Sequence, residues 1–113
     1  MECPRSGPLR ALLVVLREYL ARRGSVILPT ARAAGQGRLK MAFRGLYKSL
    51  PEDLGYARFW DIVRDLKSDA EARSELERMG LRILSDGGEW YVEAPVELLE
   101  EIMRGRLCSQ ENP

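Results

Sequence analysis

The 113-residue sequence predicts an α+β fold, mostly helical, with about five helices and a small antiparallel sheet made of a strand at 25–29 and a hairpin at 81–94. Three observations lead there. Apolar residues recur at helical spacing at Leu9, Leu12, Leu13, Leu16 and Leu20, and again at Phe59, Ile62, Val63 and Leu66. Two alternating runs, Leu81–Leu84 and Glu89–Val92, flank Ser85-Asp86-Gly87-Gly88, the pattern of two strands joined by a tight turn. Proline and glycine stand where these patterns begin and stop. A hydrophobic fraction of 45% and a charged fraction of 31% belong to a soluble globular chain with enough length for a single core.

Taken in order, residues 1–7 read as a flexible leader, 8–107 as one globular domain and 108–113 as a flexible tail. Pro8 suits the first turn of a helix that Gly24 ends. Arg22 and Arg23 fall in its last turn, where capping the negative end of the helix dipole outweighs a phosphate contact as their expected role. Ser25–Leu28 is β-branched and apolar before Pro29, hence the strand. Thr30–Arg38 is a run of small residues with Arg32, Gln36 and Arg38, equally a connector or a phosphate-contacting loop. From near Gly37 a central helix is expected, with Lys40, Arg44 and Lys48 at i, i+4 and i+8 and Leu39, Ala42, Phe43, Leu46 and Leu50 opposite them. Pro51 to Gly55 make a turn. A helix follows through Leu66, with Phe59 and Trp60 both read as core. Ser68 and Glu71 form a capping box for the next helix, which Gly80 closes. Pro95 then opens a last helix, 95–106, with Leu98, Leu99, Ile102 and Met103 on its inner side.

Charge points to the function. Residues 1–49 carry ten Lys and Arg against two acids, a balance of +8, while residues 50–113 carry eight against fifteen, a balance of −7. If the basic half keeps to one face it attracts a polyanion; if the halves interleave, they neutralise one another. Histidine is absent, which removes the commonest general base and zinc ligand, and the two cysteines, Cys3 and Cys108, have no metal-site spacing. Asp61 and Asp65 could share a divalent metal, but Arg58 and Arg64 offer simpler ion-pair partners. No catalytic residue, cofactor or metal site is therefore expected. The apolar run Ala11–Leu16 is too short for a membrane span and lacks the cleavage region of a signal peptide, and a cytoplasmic location is the expectation. Fifteen arginines against three lysines, with few side-chain amides, hint at a thermophile.

Residues 56–94 resemble a winged helix-turn-helix domain. The likeness lies in the helix FWDIVRDL, the turn KS, the helix DAEARSELERMG and the wing LRILSDGGEWYV, with the helix from Lys40 to Leu50 as the first of the three. The resemblance implies a DNA-binding protein whose second paired helix enters the major groove. Here that helix bears Asp69, Glu71, Glu75 and Glu77 against Arg73 and Arg78, and an acidic helix repels phosphate, so no base-reading residues are carried onto it. In size, mixed composition and pairing of aromatics with arginines, the chain is also similar to small archaeal single-stranded-DNA-binding proteins of the ThermoDBP-related group.

The expected function is non-enzymatic nucleic-acid binding, DNA before RNA and with strandedness open. The expected surface comprises Arg32, Arg38, Lys40, Arg44, Tyr47 and Lys48, with Trp90 and Tyr91 of the wing as further ring faces. The alternative is a winged-helix protein-interaction module, with the terminal helix 95–106 as a route to a homodimer.

Overall fold

The computed structural model describes residues 6–105, so Cys3, Cys108 and the expected tail lie outside the described residues. Helix α1 spans Gly7–Ala33, strand β1 Arg38–Ala42, helix α2 Phe43–Tyr47, helix α3 Phe59–Ser68 and helix α4 Ala70–Arg78. Strands β2 (Arg82–Asp86) and β3 (Glu89–Pro95) and helix α5 (Val96–Met103) complete the order, with a 3-10 turn at Glu52–Leu54. The architecture is α+β and mostly helical, with three antiparallel strands in the order β1-β3-β2.

Helix α1 begins earlier and ends later than its residues predict. Ser6 caps it, its Oγ accepting from the Leu9 amide at 3.3 Å, so Ser6 and Gly7 belong to the helix start rather than to a leader. The helix then passes through Gly24 and Pro29, and the expected strand at 25–29 falls within its last third. Packing overrides local preference here. Leu28 and Ala31 are buried along α5, and Gly24 lets α5 approach so closely that a Cβ there would stand 2.7 Å from Met103 Sδ. Proline inside a helix costs about 3 kcal/mol. Burying Leu28 and Ala31 offsets that cost, since a fully buried aliphatic side chain gains about 1.5–3 kcal/mol. Because Pro29 is itself exposed and lies within the helix, Pro29→Ala restores an amide donor and is expected to stabilise the protein by about 1–3 kcal/mol. Urea denaturation checks this; an unchanged or lower midpoint would mean that residues 25–33 are not helical.

The central segment is also corrected. Lys40 lies on a strand, and only a five-residue helix follows it, so Lys40, Arg44 and Lys48 do not form one helical stripe. Arg38-Leu39-Lys40-Met41 alternates polar and apolar, and pairing with β3 sets Met41 opposite Val92 and Leu39 opposite Ala94 on the core side. β2 joins the other edge of β3, with Ile83 opposite Val92. Gly87 and Gly88, at φ +61° and +84°, supply the left-handed pair that a two-residue hairpin turn requires.

Two helix starts shift by a residue, in each case because the residue before the helix is extended. Ser68 remains helical, and Asp69, in extended conformation, becomes the cap of α4, its Oδ1 accepting from Glu71 at 3.0 Å and Ala72 at 3.3 Å. Pro95 is the cap of α5 instead of its first helical residue. In α5, Leu98, Leu99 and Ile102 are buried within the same chain, and Met103 packs its Sδ against Gly24 of α1 while staying 41% exposed. The apolar side proposed for a homodimer is therefore largely spent on α1. Among the described residues no helix is long and apolar enough to cross a membrane.

Candidate nucleic-acid interface

The eight residues singled out in the sequence separate into three places. Arg32, at the end of α1, grips Glu100 of α5, its Nε and Nη2 donating at 2.8 and 2.6 Å. That hydrogen bond holds the Glu100 carboxyl below its ordinary pKa and raises that of Arg32. Arg38 and Lys40 lie on the outer face of the sheet beside Tyr91. Arg38 reaches Glu93 at 3.1 Å and donates to the Gly80 carbonyl at 2.6 Å. Lys40 reaches Asp86 at 3.7 Å and stands 5.5 Å from the centre of the Tyr91 ring. Trp90 cannot join them, because adjacent residues of a strand point to opposite faces. It faces inward, onto α2 and α3.

Arg44, Tyr47, Lys48 and Trp90 do assemble, around α2. Phe43 and Tyr47, one turn apart, turn toward α3, while Leu46 enters the core. The Phe43 ring meets Phe59 at 4.8 Å, Trp60 at 5.1 Å and Trp90 at 6.1 Å, and Trp60 meets Trp90 edge to face at 5.4 Å. Phe59 is fully buried beneath this group, but Tyr47 and Trp60 remain 44% and 38% exposed. A pocket of about 200 Å³ lies among Phe43, Arg44, Tyr47, Trp60, Glu89 and Trp90. Arg44 Nη1 stands 3.3 Å from Glu89 Oε2 at its rim, and Lys67 Nζ lies 4.6 Å from the centre of the Trp90 ring.

Trp60 is a residue that the sequence reading assigned to the core. Positions 59, 62, 63 and 66 complete the buried stripe of α3, and residue 60 is about 100° away from Phe59 around the helix. The signal was its place beside the stripe.

The charge halves interleave. Arg32–Glu100, Arg38–Glu93, Lys40–Asp86 and Arg44–Glu89 each join a cation of the early half to a carboxylate of the late half. The cations without a carboxylate are elsewhere. Since α1 continues past them, Arg22 and Arg23 cap nothing; both are exposed at mid-helix. Arg22 donates to Ser49 Oγ, just beyond α2, and Gly45 of α2 faces the Tyr19 ring of α1. Arg23 and Lys48 have no ion-pair partner among the described residues. An exposed band thus runs from Trp60 over Tyr47, Arg44 and Lys48 to Arg22.

Asp61 stands 3.4 Å from Arg64 and 4.0 Å from Arg58, and Asp65 accepts from the Tyr56 hydroxyl at 3.0 Å. Burial first, and that bond second, push the Tyr56 phenol above its ordinary pKa. Comparison of the chain with protein-family models, curated proteins and solved structures finds no match.

Proposed function

We propose that the protein is a non-enzymatic single-strand nucleic-acid-binding protein and that its contact surface is the band centred on α2. The observation that carries this is the pair of rings, Tyr47 and Trp60, 44% and 38% exposed on the rim of one pocket, with Lys48 next to Tyr47 and without an ion-pair partner among the described residues. Rings offer faces on which bases stack whatever their sequence, and the cations follow the phosphates. Arg32, Arg38, Lys40 and Tyr91 stand outside this surface. The order of α1, β1, α3, α4 and the β2–β3 hairpin supports a winged-helix reading in which α1, rather than the helix expected at 40–50, is the first of the three helices. Helix α4 with its cap carries Asp69, Glu71, Glu75 and Glu77 against Arg73 and Arg78, and that net negative charge disfavours groove insertion and with it duplex binding.

Titrating the tryptophan fluorescence with a dT oligomer at several salt concentrations tests this. With about three to four phosphate contacts, log K is expected to fall against log salt with a slope of about −2 to −3, and Lys48→Glu is expected to flatten it by about 1. A slope near zero, or a duplex bound as tightly as the single strand, would overturn the proposal. The same net negative helix favours a second reading, a winged-helix protein-interaction module. A stable hetero-complex with no oligonucleotide binding would establish it.

A further inference from the structure

The geometry points to guanine as the base preferred in the pocket between α2 and the start of β3, an inference that rests on the single-strand reading above. At about 200 Å³ the pocket is smaller than those that hold whole drug-sized ligands, about 300–1,000 Å³, and suits one planar base. Its walls are rings. Phe43, Trp60 and Trp90 pack on one another at centroid separations of 5.1–6.1 Å and so form one aromatic wall on which a base can lie, and Tyr47 also lines the pocket.

Its rim carries one anion and one cation. Glu89 is the first residue of β3 and Arg44 the second of α2, and their paired atoms are 3.3 Å apart with side-chain exposures of 38% and 78%. A carboxylate only accepts hydrogen bonds, and a guanidinium only donates them. Guanine presents two adjacent donors, N1–H and the 2-amino group, beside the O6 acceptor. Both donors can point to one carboxylate while O6 accepts a hydrogen bond from Arg44. Adenine, cytosine and thymine each offer the carboxylate a single position bearing N–H. The ion pair that neutralises Arg44 toward phosphate thus gains a purpose, since it presents the acceptor and donor that a guanine edge needs. Charge-assisted bidentate contacts of this kind are the strong ones.

The test keeps the wild-type protein and varies the strand, reading tryptophan quenching by dT oligomers that carry one central dG, dA, dC or deoxyinosine. The dG oligomer is expected to bind about tenfold tighter than the all-dT strand. Deoxyinosine, which lacks the 2-amino donor, is expected to lose most of that gain. Glu89→Gln is expected to remove the difference between dG and deoxyinosine and, because it frees Arg44 for phosphate, to leave all-dT binding no weaker than in the wild type. GMP alone is expected to bind at least about tenfold more weakly than the dG oligomer, because it leaves Lys48 and Arg22 without phosphates. Binding of all five strands within about twofold overturns the guanine preference and leaves single-strand binding standing. GMP bound as tightly as the dG oligomer overturns the placement of the strand on α2. Absence of binding to any strand overturns both this inference and the function on which it rests.

Discussion

Replacing Phe59 by alanine is expected to destabilise the protein by about 3–5 kcal/mol, the largest loss from any single substitution considered. The ring is fully buried and touches Phe43 at 4.8 Å and Tyr47 at 6.1 Å, so it joins α3 to α2. Removing it loses the transfer energy of the ring, leaves a cavity and deletes two edge-to-face contacts. Domains are stable by only about 5–15 kcal/mol, so a large part of the total is at stake. Thermal unfolding should show Tm falling by about 4–8 °C for each kcal/mol lost. A loss under about 1 kcal/mol would mean that the seam between α2 and α3 is not closed by this ring. The effect reaches the proposed surface as well, because Phe59 is the floor against which the Tyr47 ring rests.

Removing both exposed rings, Tyr47→Ala with Trp60→Ala, is the change expected to weaken single-strand binding most. Each stacked base is worth about 1–3 kcal/mol, so each single variant should lose about 5- to 150-fold in affinity and the pair more than either. At 44% and 38% exposure these rings contribute less to the core than Phe59 does, and the folded state should survive. Arg32→Ala serves as the control: its guanidinium is held by Glu100, away from the α2 band, and binding should change by less than about twofold. Anisotropy of a labelled dT oligomer reports all three, since it does not rely on the tryptophan being removed. If Arg32→Ala costs as much as the ring variants, the contact surface extends over the ends of α1 and α5 and the α2 band is wrong.

The grouping of three of the eight expected residues was legible because it is local. Arg44, Tyr47 and Lys48 lie within one turn and a half, and a short helix keeps their relative directions. Trp90 joined them only because the hairpin folds back onto α2, a contact between residues far apart in the chain. Its neighbour Tyr91 was lost to the site by the two-residue period of the strand. The early cations looked like one surface because a run of residues hides its partners: Glu100, Glu93, Asp86 and Glu89 sit more than forty residues away and arrive only through the sheet and α5. Arg22 and Arg23 were set aside as a helix cap for the opposite reason. Their helix continues, and no feature near Gly24 or Pro29 announces it.

By itself the sequence determined the apolar stripes of α1, α3 and α5, the α3–α4 turn and the glycine hairpin, since each depends on periodicity or backbone stereochemistry within a few residues. Only the tertiary structure decided that residues 25–33 stay helical, that β1 is a strand, and which cations are neutralised. These outcomes depend on burial and charge pairing between distant segments, and such energies exceed the local preferences that a sequence displays.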